Sequence, residues 1–314
     1  LLASSAASDV YKRQLKSFAK SCVMVRRRAK RRDAFKSFFN NYLVKSKKSY
    51  TPQNIGELKN DYDLFISGSD QVWSPRCVGF DPAYFLTFAD DRQKYSYAAS
   101  FAVPTLPDEF IDEYKKRLNG FQKFSVREPS GEKLVKELTG RTAETHLDPT
   151  LLISADEWKK IAVSKIDKPY ILIFTANPAV SLVDFALKLS KEKNLPVYCI
   201  NDAPHPVSHG INYIVAPTVE EFVGCFKNAE YVVTNSFHGT AFSVIFNKNL
   251  FVEFKNKSGR NIRSEGLLKS LGIDREIVDG NCNETEINWD IINAQLKTLG
   301  SKSKKYLSEI VNME

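Results

Sequence analysis

The second half of the chain alternates between short apolar runs and longer amphipathic stretches. Four runs rich in β-branched and aromatic residues predict strands, at residues 170–175, 197–200, 231–234 and 250–254. Three stretches with apolar residues at helical spacing lie between or beside these runs, at residues 182–191, 220–226 and 240–246. Strands separated by helices are typical of βαβ units, so the pattern predicts a parallel sheet covered by helices.

The first half shows a similar alternation with shorter runs. Apolar residues at helical spacing predict one long helix over residues 15–42. Beyond it the pattern predicts three strands and two helices, with strands at 63–67, 95–101 and 124–126 and helices at 110–118 and 132–138. Two capping boxes, Ser154 to Glu157 and Thr218 to Glu221, mark further helix starts. A final helix is predicted over Trp289–Val311.

The length of the chain indicates more than one domain. A chain of 314 residues usually buries two hydrophobic cores, and we expect an α/β protein with two Rossmann-like, doubly wound domains. We place the N-terminal domain at residues 15–155 and the C-terminal domain at 156–287. The last helix, at 288–314, is long enough to cross to the N-terminal domain. The Leu/Ala/Ser-rich residues 1–14 lack the features of a signal peptide, and we treat them as a non-native leader.

The composition is that of an ordinary soluble globular protein, with 43% hydrophobic and 26% charged residues. No apolar run approaches the roughly 18 residues that a membrane span needs. The five cysteines are scattered and form neither a Cys-x-x-Cys pair nor a zinc-ligand spacing. We therefore expect a cytoplasmic protein without a metal site or a disulfide framework.

The net charge of +8 comes from the front of the chain. Residues 1–50 contain 14 Lys and Arg against two acids, and the densest cluster is Arg26–Arg32. Such a cluster could bind nucleic acid or an anionic membrane surface, or it could simply be the solvated face of a helix. The charge pattern favours the solvated face, and no aromatic-interleaved RNA-binding signature accompanies it.

Two predicted strands end in polar, glycine-containing loops that could hold an anion. The first loop, Ile66–Trp73, follows the strand at 63–67, and the second, Thr234–Thr240, lies between a strand and a helix. In parallel sheets, ligands bind at the carboxyl ends of the strands, where helix N-termini point N–H groups outward. These loops are therefore the candidate ligand-binding segments.

Two side chains near strand ends have suitable chemistry. His238 lies at a strand-to-helix turn, where an imidazole can donate to an anion or move a proton near neutral pH. A lone histidine is otherwise often a hydrogen-bonded bystander. Arg127 follows the predicted strand at 124–126, where a guanidinium suits a carboxylate or phosphate. The alternative for Arg127 is an ordinary surface ion pair with Glu128.

Four motifs in a fixed order carry a family resemblance: Gly68-Ser-Asp-Gln-Val-Trp73, Arg127-Glu128, Asp148-Pro-Thr-Leu-Leu152 and Ser236-Phe-His-Gly239. Together they resemble the bacterial polysaccharide pyruvyl transferase family over about residues 62–254. The resemblance implies a glycosyltransferase-B-like fold, in which two Rossmann-like domains face each other across a cleft. It also implies transfer of pyruvate from phosphoenolpyruvate to a sugar as a ketal.

The resemblance also implies roles for individual residues. His238 would be the general acid/base, and Arg127 would grip the donor, phosphoenolpyruvate. Further donor contacts are expected from Asn235, Ser236, Phe237, Gly239 and Thr240. The acceptor side of the cleft is expected at Gly68, Ser69, Asp70 and Gln71. Asp70 either binds a sugar hydroxyl or caps the following turn. Phosphoenolpyruvate is a co-substrate, and neither a cofactor nor a metal is implied.

The chain departs from the family pattern at two places. Family members usually open with a strand and an Asn-Tyr-Gly turn, which this sequence lacks, so we expect the first strand of the N-terminal domain to be missing. Better-characterised members carry an arginine two residues before the histidine, where this chain has Ser236. Either another cation holds the donor, Arg127 alone or a lysine, or the donor differs.

Two other functions remain open. A nucleotide-sugar glycosyltransferase of the same fold would need an acidic pair near the cleft of the second domain. Glu220-Glu221 is the only adjacent acidic pair there, and a capping box also accounts for it. A non-catalytic, anion-binding relative is favoured by Ser236 and opposed by the intact His238 and Arg127.

The expected partners follow from these hypotheses. They are phosphoenolpyruvate and a sugar acceptor, which could be a lipid-linked oligosaccharide. In that case Arg26–Arg32 could bring the enzyme to the inner face of the cytoplasmic membrane. We expect no nucleic-acid partner.

Overall fold

The structure is a computed structural model that describes residues 25–312 except residues 47, 77–79, 178, 201–208 and 257–258. The described strands are β1 Phe65–Ser67, β2 Lys94–Ser96, β3 Ser125–Val126, β4 Glu144–Thr145, β5 Ile171–Phe174, β6 Val197–Ile200, β7 Ile211–Ile214, β8 Tyr231–Thr234, β9 Asn249–Val252, β10 Lys255–Asn256 and β11 Gly259–Arg260. The described helices are α1 25–42, α2 Ile111–Leu118, α3 Pro129–Thr139, α4 Ala155–Ile161, α5 Val180–Lys193, α6 Val219–Asn228, α7 Phe237–Ile245, α8 Ile262–Ser270 and α9 Trp289–Val311. The predicted leader, 1–14, and residues 15–24 of the predicted first helix lie outside the described residues.

Five parallel strands form the sheet of the C-terminal half, in the order β7-β6-β5-β8-β9. Ile171, Leu172 and Ile173 of the central strand β5 are fully buried. Helices cover both faces of the sheet, with α6, α7 and α8 on one face and α5 on the other. A strand buried on both faces reads as a continuous apolar run rather than an alternating one, which is why this sheet was visible in the sequence. The predicted parallel sheet is confirmed.

The strands of the N-terminal half are shorter and pair in two parallel ladders, β1 with β2 and β3 with β4. Isolated bridges from Tyr95 to Lys123 and from Ala99 to Val126 join the ladders. The strands therefore run in the order β1-β2-β3-β4, and their carboxyl ends meet at one edge. The predicted strand at 95–101 ends at Ser96, because Ala98 adopts a positive φ of 46° and turns the chain.

An aromatic cluster fills the core of the N-terminal half. Trp73 is fully buried at its centre, with its ring centroid 5.3 Å from that of Phe101 and 5.4 Å from that of Phe121. Its indole N–H donates to the carbonyl of Tyr84 at 3.2 Å, and its own carbonyl accepts from the Tyr114 hydroxyl at 2.7 Å. Trp73 thereby anchors the loop that follows β1.

Helix α9 contacts both halves of the molecule. Near its start, Ile292 packs into the core of the C-terminal half. Near its end, Tyr306 and Ile310 are buried beside Tyr97, and the Tyr306 hydroxyl donates to the carbonyl of Ser96 at 3.0 Å. The helix thus connects the core of the C-terminal half to the N-terminal sheet. Within the described ranges, no helix is both long and apolar enough to cross a bilayer.

Several described elements are absent from the sequence prediction. Strand β7 lies at the edge of its sheet with Asn212 exposed, so its apolar run is too short to stand out. Helix α8 buries only Ser264, Leu267 and Leu268, a weak apolar stripe. Of the two predicted capping boxes, the one at α6 forms both bonds, whereas at α4 the Ser154 hydroxyl accepts the N–H of Glu157 without the reciprocal bond.

Replacing Trp73 with alanine should lower the free energy of unfolding by about 3–5 kcal/mol, because a large buried side chain leaves a cavity that its neighbours fill only in part. Chemical denaturation followed by circular dichroism measures the loss. Trp289→Ala is the matched control, since Trp289 is only half-buried at the start of α9 and should cost less. A smaller loss for Trp73→Ala than for Trp289→Ala would contradict the central place of Trp73 in the core.

Candidate active site

The carboxyl edges of the two sheets face each other, and both predicted loops lie at this junction. In the N-terminal half, the segments after β1, β3 and β4 carry Asp70, Arg127 and Asp148. In the C-terminal half, β8 leads into α7, whose first two residues are Phe237 and His238. The Arg127 guanidinium lies over the ring of Phe237, 4.5 Å from its centroid, so the two halves meet at this cation–π contact.

Arg127 is held by two carboxylates. Its side chain is 1% exposed, and its Nη1 donates to Asp148 Oδ2 at 2.8 Å. Its Nη2 donates to Asp70 Oδ1 at 3.0 Å. The side chain of Asp148 is 4% exposed and that of Asp70 is 62% exposed, so one ion pair is buried and the other faces solvent. Asp70 is therefore the more accessible of the two partners.

Asp148 is the hub of this hydrogen-bond network. Its Oδ2 also accepts from the Ser69 hydroxyl at 2.9 Å, and its Oδ1 accepts from the backbone N–H and hydroxyl of Thr150 at 3.0 and 2.8 Å. Burial is the largest single effect on Asp148 and acts to raise its pKa, but the charge and hydrogen bond of Arg127, together with the other favourable contacts, outweigh burial, and the pKa is lowered. The carboxylate is thus ionised at neutral pH, as the buried guanidinium requires.

The imidazole of His238 lies within the electrostatic field of these groups. It makes no hydrogen bond with another side chain or backbone group in the part of the chain that the structure describes. Burial is the main cause of its lowered pKa, and the charge of Asp148 opposes that effect. The ring is therefore neutral at pH 7 in the unliganded protein. A neutral imidazole without a fixed partner is available to accept a proton.

A second arginine, absent from the sequence prediction, lies at the same place. Arg263, in the first turn of α8, has Nη1 4.0 Å from Asp70 Oδ1 and its guanidinium carbon 6.0 Å from the centroid of Phe237. When the side-chain amide of Gln71 is oriented with its oxygen towards Arg263, this oxygen accepts a hydrogen bond from Arg263 Nη2 at 2.8 Å. Nothing in the local sequence distinguished this arginine from an ordinary helix-surface residue. Only the folding of α8 against the junction brings it into the site.

Two other residues predicted to bind the donor, Asn235 and Thr240, make hydrogen bonds within the protein. Asn235 accepts from the N–H of Ala176 at 2.9 Å and donates to the carbonyl of Asn177 at 2.9 Å, so its amide links two strand ends. The hydroxyl of Thr240 is buried and bonded to Ser236 and Ser264, and its N–H donates to the carbonyl of Ser236. These hydrogen bonds hold the loop in place. The donor contacts expected of Asn235 and Thr240 stay predictions.

The remaining loop residues have distinct placements. A Cβ on Gly239 would collide with the hydroxyl of Thr234, so glycine is needed where α7 approaches β8. Gly68 has a φ of +112°, and a Cβ there would meet the carbonyl of Tyr97. The backbone N–H of Ser236 donates to Thr234 Oγ1 at 3.0 Å, and no capping bond engages the Ser236 side chain. The Ser236 hydroxyl, like the His238 imidazole, is thus not engaged by a described neighbour.

The structure shows internal partners for two acidic residues, Glu128 and Glu221, that the sequence analysis considered. Glu128 is buried and accepts from the Ser100 hydroxyl and from the N–H groups of Phe101 and Ala102, so Arg127 and Glu128 are not a surface ion pair. Burial raises the pKa of Glu128. Glu221 completes the capping box of α6 and pairs with Lys165, which accounts for it without a nucleotide sugar.

Comparison with solved structures shows the fold. The UDP-GlcNAc 2-epimerase of Methanocaldococcus jannaschii, in complex with UDP-GlcNAc and UDP, is 12% identical with a TM-score of 0.50, over 88% of this chain and 87% of that chain. A second structure of that epimerase is 13% identical with a TM-score of 0.38, over 83% and 81%. The glycosyltransferase TibC of enterotoxigenic Escherichia coli is 13% identical with a TM-score of 0.29, over 68% and 62%. The first likeness confirms the predicted glycosyltransferase-B-like fold, and the other two are too distant to support an argument.

The sequence profile of the polysaccharide pyruvyl transferases matches residues 9–252. The match spans well over half of the chain, and the protein therefore belongs to the polysaccharide pyruvyl transferase family, a family of transferases. The family resemblance predicted from the four ordered motifs is confirmed. No match was found among curated proteins.

The two ion pairs of Arg127 should differ in their effect on stability. Asp148→Ala leaves a buried guanidinium without its buried partner and should lower the free energy of unfolding by about 3–5 kcal/mol. Asp70→Ala removes a solvent-facing pair and should cost no more than about 1 kcal/mol. Urea denaturation at pH 7 measures both. Equal losses in the free energy of unfolding would show that the buried pair with Asp148 is worth no more than the exposed pair with Asp70.

The acid sensitivity of the same variants provides a control. Because folding lowers the pKa of Asp148, its contribution is complete at neutral pH and is lost as the pH falls below about 3.9. The difference in the free energy of unfolding between wild type and Asp148→Ala should therefore become smaller in acid.

Proposed function

We propose that this protein transfers pyruvate from phosphoenolpyruvate to a hexose of a cell-surface glycan precursor and forms a ketal. Family membership supports a pyruvyl transfer. The observation that carries the proposal is the meeting of two arginines and a neutral histidine at one junction between the two sheets, namely Arg127, Arg263 and His238. Guanidinium groups bind carboxylate and phosphate, the two anionic groups of phosphoenolpyruvate.

Arg263 would supply the positive charge that other family members have two residues before the histidine, where this chain has Ser236. The Arg263 guanidinium, on α8, lies near the ring of Phe237, and Phe237 directly follows Ser236 in the chain. A donor bound between Arg127 and Arg263 would displace Asp70, the exposed partner of Arg127. The anionic donor would then take over the ion pairs that Asp70 makes in the free protein. The Ser236 hydroxyl would add a hydrogen bond at the start of α7.

His238 would move the protons of the reaction. The first acceptor hydroxyl adds to C2 of phosphoenolpyruvate, while His238 takes the hydroxyl proton and delivers it to the C3 methylene, which becomes the methyl group. The bond between C2 and the bridging oxygen then breaks, and phosphate leaves with the electron pair. The second hydroxyl closes the ketal at C2, and its proton leaves with the phosphate. Arg127 and Arg263 would stabilise the departing negative charge.

We place this reaction in the cytoplasm, at the inner membrane face, with a lipid-linked oligosaccharide as the acceptor. The cluster Arg26–Arg32 supports this placement, since basic side chains are attracted to anionic lipid headgroups. We assign no nucleic-acid partner and no resident cofactor. Phosphoenolpyruvate itself supplies the transferred group.

Binding of phosphoenolpyruvate should depend on Arg263. Isothermal titration calorimetry of wild type should show binding, and Arg263→Ala should weaken it by about 10- to 100-fold, the worth of a charged hydrogen bond. Lys269→Ala is the matched control, because it removes one charge from an exposed position on the same helix and should leave the affinity unchanged. A uridine diphosphate sugar is the comparator ligand. Binding of the nucleotide sugar without phosphoenolpyruvate would overturn the proposal.

The imidazole of His238 should titrate below pH 6.5, because burial lowers its pKa in the free protein. NMR of the histidine ring protons follows the titration, and the signal lost in His238→Gln identifies the residue. Addition of phosphoenolpyruvate should raise this pKa, since a bound phosphate favours the protonated ring. The signal of the exposed His209 should not respond to the ligand. A His238 signal unaffected by bound phosphoenolpyruvate would place the ring away from the donor.

A further inference from the structure

Helix α1 carries a row of arginine and aromatic side chains on one exposed face. The row comprises Arg28, Arg32, Phe35, Phe39 and Tyr42, and we call it the arginine–aromatic stripe. The spacings of four, three, four and three residues place these side chains on one side of a helix. All five residues are exposed, whereas Ala34 is buried and Phe38 half-buried on a neighbouring face. The helix thus packs on the body with one face and leaves an amphipathic face in solvent.

The stripe belongs to a strongly cationic segment. Residues 26–48 contain ten Lys and Arg and one acid, Asp33. The guanidinium of Arg31 lies 5.6 Å from the centroid of Phe35, so cation and ring share one surface. Leu43 and Val44, directly after the helix, are also exposed. Cationic groups at one end and aromatic and aliphatic groups at the other form a surface that is both basic and apolar.

The position of α1 relates the stripe to the candidate active site. Lys30 Nζ donates to the carbonyl of Val215 at 3.5 Å. Val215 directly follows β7, so α1 reaches the carboxyl edge of the C-terminal sheet. His238 follows β8, which lies three strands away along the same edge. At about 4.8 Å per strand, the two places are on the order of 15 Å apart.

We propose that the arginine–aromatic stripe docks the protein on an anionic phospholipid bilayer. Its charge is complementary to phosphatidylglycerol and similar headgroups, and its aromatic rings suit the boundary between headgroups and acyl chains. A convex helix face with its rings grouped at one end fits a flat surface. Single-stranded nucleic acid, in contrast, stacks its bases on aromatic platforms along a groove. The bilayer is therefore the occupant that the stripe fits best.

Docking there would place the carboxyl edge of the C-terminal sheet close to the membrane. A glycan precursor attached to a lipid would then reach the cleft without leaving the bilayer surface. This part of the inference rests on the function proposed above. The lipid binding itself does not, and it is tested without phosphoenolpyruvate or an acceptor.

Vesicle cosedimentation of the full chain tests the inference. Vesicles of phosphatidylcholine alone are compared with vesicles that also contain phosphatidylglycerol, at low and high salt. Arg28→Gln with Arg32→Gln removes two charges, and Phe35→Ser with Phe39→Ser removes two rings from the same stripe. The matched controls are Lys304→Gln with Lys305→Gln and Tyr84→Ser with Ile291→Ser, all at exposed positions on other elements. Circular dichroism and thermal unfolding verify that each variant is folded.

The expected result is binding to phosphatidylglycerol vesicles that falls with added salt. The arginine pair and the phenylalanine pair should each weaken it by about tenfold or more, and the controls should bind as wild type does. Binding that is indifferent to anionic lipid, or lost equally in the controls, would overturn the proposal. Binding of single-stranded RNA that the stripe variants weaken, with no vesicle binding, would also overturn it and assign the stripe to nucleic acid.

Discussion

A guanidinium with 1% of its side chain exposed must find counter-charges inside the protein, because water no longer solvates it. Arg127 meets this requirement with carboxylates from the segments after β1 and β4, which brings three strand ends of the N-terminal sheet together. Its other contact, the ring of Phe237, belongs to the first residue of α7 in the C-terminal half. One buried cation therefore fixes both the edge of a sheet and the place where the two halves meet.

The electrostatics of the junction follow from that cation. Asp148 stays ionised because Arg127 lowers its pKa, and Asp148 in turn limits how far burial depresses the pKa of His238. Arg263 adds positive charge from α8, while the solvent-facing Asp70 balances part of it. The result is a nearly neutral cluster with one solvent-facing carboxylate. Under the proposed function an anionic donor would replace this carboxylate, and Arg127 would keep a charged partner in both states.

Much of the fold was predictable because its strands are buried on both faces. The continuous apolar runs of β5 and β8 and the uninterrupted α9 stood out in the sequence. The edge strand β7 and the weakly amphipathic α8 did not, since few of their residues reach the core. In the site, Arg127 and His238 were visible because each lies at the end of a predicted strand or the start of a helix, and Asp70 because it belongs to the motif Gly68–Trp73. Arg263 was not, because its place depends on how α8 packs.

The sequence by itself determined the class of fold, the family and the ordered motifs, because periodicity and motif order are local properties of the chain. It also located the cationic segment at residues 26–48. Only the tertiary structure decided which polar side chains form internal hydrogen bonds. Asn235 and Thr240 look like ligand contacts in the sequence, yet internal hydrogen bonds engage them. Burial, partner choice and distance across the junction arise from long-range packing, which no local pattern records.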